Sequence, residues 1–182
     1  MDLVLVHPEI PHNTGCAARL AAATGVRLHL VEPLGFSLAD RYLKRAGLDY
    51  WPLVDLVVHP GWEEAARELS AGGRPLAERL RLFTARGGTS LFAVRFAPDD
   101  VLVFGRESDG LPPALLDAHP GRRVYIPIRA GVRSLNLANA AALGLYTALH
   151  AAGVPLPDND GAYLPHPERA LDVRPCDVAR RP

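Results

Sequence analysis

The sequence predicts an α/β fold, a mainly parallel sheet flanked by helices, and three observations carry that reading. Short runs of consecutive apolar residues recur, among them "LVLV" (3–6) and "VLVFG" (101–105). Runs that do not alternate with polar residues mark strands buried on both faces, the habit of parallel sheets. Segments of helical period lie between these runs, and several end on a glycine suited to a left-handed stop.

The elements follow in order. "LVLV" opens the chain as a first strand, and "NTGCAARLAAATG" follows as a helix starting near Thr14 and stopping at Gly25. "RLHLV" (27–31) is a second strand, and "LADRYLKRAG" a second helix closed by Gly47. "DLVV" (55–58), "LRLFT" (80–84), "VLVFG" and "VYIPI" (124–128) supply further strands. "WEEAARELSAGG" and "PPALLDAH" are helical, the second opening with prolines that fit a first helical turn. A last, Ala- and Leu-rich helix begins around Asn136. Such strand–helix alternation is the pattern of a parallel α/β sheet. Residues 1–152 form one domain on this reading. Residues 153–182, with prolines at 155, 157, 165, 167, 175 and 182 and no clear period, form an extended or partly disordered tail.

Bulk composition narrows the function. At 182 residues, 48% hydrophobic and 22% charged, the chain is long enough for one well-cored globular domain. Its formal net charge is zero, so no global field draws it to nucleic acid or to acidic membranes, though a local basic patch would not show in the total. Two cysteines, Cys16 and Cys176, give neither a CxxC spacing nor a disulfide framework, which fits a reducing cytoplasm. No apolar run approaches the roughly 18 residues of a membrane span. The histidines form no HExxH or other metal spacing, so no metal is expected. Cys16, inside an Ala-rich helix, reads as a small buried residue.

Three polar clusters stand where a strand or loop gives way to a helix. "PEIPHNTGCAARL" places Asn13 and Arg19 at a helix N-terminus, where backbone N–H groups are free; a cap and a solvated arginine would account for them equally. "VFGRESDGLP" runs from a buried strand through Gly105 and Glu107 to Gly110, and doubly wound folds bind ligands beyond such strand ends; a plain turn is the alternative. "IPIRAGVRSLNLANAA" brings Ser134, Asn136 and Asn139 to the mouth of the last helix, with Ser134 as a natural N-cap. Capping by Ser134 leaves two asparagines unexplained in positions where their amides compete with the helix backbone. Three such mouths in one small domain suggest a single cleft.

Together these stretches resemble the SPOUT superfamily of S-adenosylmethionine-dependent RNA methyltransferases. "NTGCAAR", "GRESDG" and "IPI…RSLNLANAAAL" occur in the order of that superfamily's three motifs. The N-terminal "HPEIPHNTG…R…TG…LHLVEPLGF…RAGLDYW" looks like the small single-domain branch that methylates the ribose 2′-hydroxyl of the wobble nucleotide, position 34, of tRNA. The resemblance covers roughly residues 1–150. It implies a C-terminal deep trefoil knot, a homodimer with an active site completed across its interface, and S-adenosyl-L-methionine as cofactor. It also implies that Phe83, Thr84, Gly105, Ile126, Ser134 and Leu135 line the cofactor. Arg19, Asn13, Glu107, Ser134 and Asn136 would form the catalytic group, with Asn13, Ser134 and Asn136 positioning Arg19 and the ribose. Arg41, Lys44, Arg129 and Arg133 are the expected RNA contacts, although a solvated face explains such charges equally well. A superfamily member acting on another tRNA position or on rRNA, and a non-catalytic RNA-binding protein of this fold, are the alternatives.

Overall fold

The computed structural model describes residues 1–38, 50–71, 73–156 and 174–175. It holds eight strands: β1 (Asp2–Val6), β2 (Arg27–Val31), β3 (Leu56–His59), β4 (Leu80–Thr84), β5 (Thr89–Ser90), β6 (Val101–Phe104), β7 (Arg123–Tyr125) and β8 (Arg174–Pro175). They form one sheet in the order β5-β7-β4-β6-β1-β2-β3-β8, and each strand pairing is parallel. Among the described residues five α-helices accompany it: α1 (Pro11–Thr24), α2 (Trp62–Leu69), α3 (Leu76–Arg79), α4 (Pro113–Ala118) and α5 (Leu137–Ala151).

The non-alternating strands are explained by a core on each face. Leu3, Leu5, Leu28, Leu30, Leu102 and Phe104 point to one side and meet Ala17, Ala18 and Ala21 of α1 and Ala141, Leu145 and Ala148 of α5. Val4, Val6, Val31, Val101 and Val103 point to the other and meet Ala65 and Leu69 of α2 and Leu115 of α4. Alternate residues of β1 therefore bury in opposite cores, and a polar side chain on either face would lose its water. The small residues of α1 let α5 lie close beside it.

Gly25 stops α1 as expected: its φ is 68° and its N–H donates to the Ala21 carbonyl. The start differs. α1 begins at Pro11, not near Thr14, because the proline fits the first helical position with no side-chain cap on Ile10. Asn13 thus falls inside the first turn rather than capping it. At the last helix the N-cap is Asn136, not Ser134: its Oδ1 accepts from the N–H groups of Ala138 (3.0 Å) and Asn139 (3.2 Å). Cys16 is half-buried rather than buried, with its Sγ 3.7 Å from His12 Nε2, since it faces away from the sheet. The helix expected over "LADRYLKRAG" lies, from residue 39 on, outside the described residues. Part of the C-terminal segment is an edge strand: Arg174 and Pro175 pair with Val57 and Val58.

The strand order reverses beside β1. The chain first moves outward through β2 and β3, then crosses to β4, and β6 fills the place between β4 and β1. Carboxyl ends of β7, β4, β6 and β1 thus stand side by side at a topological switch point, where open α/β sheets bind ligands.

Two buried imidazoles sit on the β2–β3 half of the sheet. His29 Nδ1 lies 2.8 Å from His59 Nε2, and the rings stack at 5.1 Å. Burial, and then the neighbouring His29, hold His59 below its ordinary pKa, although Glu68 and Glu64 pull the other way. In the unfolded chain the ring would protonate freely near pH 6.5, so acidification favours unfolding. Urea denaturation between about pH 5 and 7.5 should show stability rising with pH across this window. His59→Gln should flatten that slope.

Candidate active site

Loops from those four strand ends enclose a cavity of about 520 Å³, within the range of small-ligand and cofactor sites. Phe83, Phe104, Ile126, Ile128 and Leu135 form its apolar wall, and Asn13, Glu107, Ser134 and Asn136 stand along its polar side. Phe83 stacks on Phe104 at 4.2 Å between centroids. Behind them, a Cβ on Gly144 of α5 would come within 2.9 Å of the Phe83 ring and 3.0 Å of the Phe104 ring. Gly144→Ala would gain about 1 kcal/mol of helix propensity, but overpacking of this kind costs about 1–3 kcal/mol. A net loss of stability, and a weaker hold on an adenine-type ligand as the rings tilt, are the expected results in thermal melts and calorimetry.

The polar side is built by one hydrogen-bonded row joining the three clusters of the sequence. Asn13 Nδ2 donates to Glu107 Oε1 at 2.8 Å, and Asn136 Nδ2 donates to Asn13 Oδ1 at 2.9 Å. Glu107 also accepts from the backbone N–H groups of Glu9 (2.8 Å, Oε2) and Ile10 (3.3 Å, Oε1). With both oxygens engaged, Glu107 clamps the β1–α1 loop and is poorly placed to take a proton from a substrate. Glu9 returns the contact by accepting from Ser108 N–H and Oγ, each at 3.0 Å. Glu9 and Ser108 both lie within the motif stretches, but nothing in their spacing singles out either as a site residue or pairs the two.

Gly105 makes the second loop possible. An added Cβ would stand 2.0 Å from the Gly110 carbonyl carbon and 2.2 Å from Leu111 N, because the loop folds straight back over it through the Arg106–Gly110 bridge. Thr84 turns its hydroxyl into its own loop, donating to the Arg86 carbonyl at 2.7 Å. Ser134, Leu135 and Arg133 reach the cavity on the long exposed segment before α5.

Of the expected site residues, the cavity gathers Asn13, Phe83, Thr84, Gly105, Glu107, Ile126, Arg133, Ser134, Leu135 and Asn136. Arg19 is not among its lining residues. It lies exposed on α1 with its guanidinium over the Tyr50 ring, 4.7 Å from the centroid. The amides meant to position Arg19 instead hold Glu107 and each other. Arg129 lines a neighbouring hollow, and Arg41 and Lys44 lie outside the described residues.

Comparison with known proteins places this geometry. The model of the SpoU rRNA Methylase family matches residues 1–146. A protein of Polaromonas sp. named "tRNA (cytidine(34)-2'-O)-methyltransferase" is 47% identical over 148 residues, 81% of this chain and 88% of that protein. One of Methylovorus glucosotrophus with the same name is 49% identical over 148 residues, 81% of this chain and 92% of its own. Among solved structures, one described as "Structural insights into the 2-OH methylation of C/U34 on tRNA" superposes with a TM-score of 0.77 at 46% identity, covering 84% of this chain and 95% of that one. The SpoU methyltransferase AviRb from Streptomyces viridochromogenes, solved with the cofactor AdoMet, gives 0.75 at 25% identity over 85% of this chain and 58% of its own. With its motif segments meeting in one cavity and a family match over most of its length, the chain belongs to the SpoU rRNA methylase family.

Proposed function

We propose that this protein transfers a methyl group from S-adenosylmethionine to the ribose 2′-hydroxyl of the wobble nucleotide of tRNA, cytidine or modified uridine, as a cytoplasmic homodimer. The observation that carries the reading is the Glu107–Asn13–Asn136 row on the polar side of an apolar-walled cavity. The residues present fit the cofactor. Flat aromatic and aliphatic walls suit an adenine and a thioether, and the Gly105 cradle leaves backbone where a side chain would collide. When bound, the cofactor supplies a methyl group on a sulfonium, reactive enough that the protein need only orient, exclude water and handle one proton.

The chain's residues divide that work. Phe83, Ile126 and Leu135 exclude water, and Gly105 and Thr84 set loops that present backbone groups. Glu107 fixes the first loop to the second through Asn13, and Asn136 fixes both to α5, so ribose and cofactor meet at constant geometry. Arg19 has five N–H donors and no acceptor, so it cannot act as a base. It stabilises the developing negative charge on the ribose oxygen, help worth about 3 kcal/mol, while the proton leaves to a nearby phosphate or water.

Arg19 points away from its own cavity, and a second copy resolves that. Ile10 at the entry to α1 and Leu143 and Tyr146 on α5 are 44%, 40% and 44% exposed. α1 and α5 pack on each other, so the exposed Leu143 and Tyr146 stand on the same helical layer as Arg19, a face suited to a second protomer. Arg19 of one protomer then completes the cavity of the other. In the proposed topology the C-terminal segment passes through a loop as a deep trefoil knot, a reading supported by β7 lying between β4 and β5 while α5 returns to β6 and α1. Residues 1–152 carry the activity, with 153–182 as an appendage.

Labelled methyl transfer to bulk tRNA, followed by nucleotide mapping, tests the reaction: label at the 2′-oxygen of position 34 supports it, and label in a base removes it. A mixing experiment tests the shared site. Arg19→Ala and Gly105→Ala protein, each inactive alone, should recover a substantial fraction of turnover when unfolded and refolded together. Mixtures as dead as their parents would place Arg19 in its own protomer's site, and an Arg19→Ala protein that is active alone would place it outside the reaction.

A further inference from the structure

A second hollow of about 390 Å³ adjoins the cavity, with Ala85, Ile126 and Ile128 forming the shared wall. Its open side carries Arg86, Tyr125, Pro127 and Arg129. Among the described residues neither arginine meets a carboxylate, and the one side-chain hydrogen bond of Arg86 is long, 3.4 Å from Nη2 to the Val132 carbonyl. No acidic residue among the described ones lines the hollow. Tyr125 is a rigid platform, because β7 is paired on both sides there, with Thr84 in β4 and Ser90 in β5. Gly87, at φ 80°, turns the facing loop, and Thr84 ties that loop down through the Arg86 and Gly87 carbonyls.

We propose that this hollow seats the nucleotide next to the methylated one on the same RNA strand. Its base would lie against Tyr125 and Pro127, and its phosphate between Arg86 and Arg129. The inference rests on the RNA-methylating function proposed above. Two guanidiniums without acidic partners select an anion, and a fixed aromatic face selects a planar ring, the combination by which proteins hold single-stranded nucleic acid. Sharing a wall with the cavity places such a nucleotide one step from the reacting ribose. Holding it there would keep the target turned out of its loop.

The test uses the full-length protein, an anticodon stem-loop, and the same RNA made abasic at either position flanking the target. Arg86→Gln/Arg129→Gln should raise the KM for RNA about tenfold and lower the slope of log KM against log salt by about 1.4, the share of two phosphate-type contacts on a single strand. Tyr125→Ala should raise KM on intact RNA but not on one of the abasic RNAs, and Tyr125→Phe should restore it. Calorimetry with S-adenosylhomocysteine should give the same affinity for all these proteins. Unchanged KM and salt slope, or equal loss on every RNA, would overturn the proposal. So would a matching collapse of S-adenosylhomocysteine affinity, which would make the hollow part of the cofactor cavity. Saturable binding of adenosine monophosphate that leaves RNA kinetics untouched would make it a small-anion site instead. Wild-type protein that binds S-adenosylhomocysteine yet methylates no RNA would be a failure of the function, distinct from normal wild-type turnover with indifferent variants.

Discussion

Replacing Asn13 with aspartate should abolish methyl transfer and destabilise the fold by about 3 kcal/mol, the scale of an uncompensated buried charge. Aspartate has the shape of asparagine, but it offers an acceptor where Glu107 Oε1 needs a donor 2.8 Å away. The site is 3% exposed, so water cannot separate the two carboxylates. Asn13→Ala is the milder case: it removes both side-chain hydrogen bonds, which costs about 1–3 kcal/mol for the partners left unpaired. A proton shared between the carboxyl groups would mend the contact in Asn13→Asp, so its deficit should shrink as the pH is lowered. Urea unfolding of both variants at neutral and mildly acidic pH, with single-turnover assays, separates lost shape from misplaced charge.

Gly105→Ala is expected to do equal damage for a steric reason. Each of the nearest atoms to the added Cβ is backbone, at 2.0, 2.2 and 2.3 Å, so no side chain can swing away. The loop must open, at about 3 kcal/mol, the upper end for overpacking. Affinity for S-adenosylhomocysteine should fall by at least about 100-fold, or about 2.7 kcal/mol. Gly110→Ala is the internal control. Its φ is 81° but nothing stands within 4 Å of the added atom, so the cost is the backbone strain alone, about 1 kcal/mol. Calorimetric titration of both proteins reads the difference directly.

Much of this architecture is legible in the sequence because two physical signals are local. Continuously apolar runs mark strands buried on both faces, which exposes β1 and β6, and a left-handed glycine ends α1 where Gly25 stands. β5 and β8 escape such reading, since two-residue strands have no period. The start of α1 is misplaced because Ile10 offers no capping side chain to mark it. Ser134 looks like the better cap than Asn136, but Asn136 caps α5 and ties it to Asn13 with the same side chain. That dual use spans 123 residues of chain, and no local pattern encodes it. The motif spacings bring Asn13, Glu107 and Asn136 forward as a group but leave unstated who holds whom. Arg19 shows the same limit, for its place over Tyr50 is a tertiary contact that no local spacing encodes.

Asn13 bonds to both Glu107 and Asn136 and so joins the three motif segments; on the proposed function they act as one unit that shapes the cofactor cavity. A double-mutant cycle measured by titration of S-adenosylhomocysteine tests it most directly, using Glu107→Gln, Asn136→Ala and their combination. Each of these side chains holds one end of Asn13, which stands between them in the row. Coupling of about 1 kcal/mol or more between them is the predicted result. Strictly additive losses would mean that the segments meet without acting together, and the cavity described here would not be the product of their union.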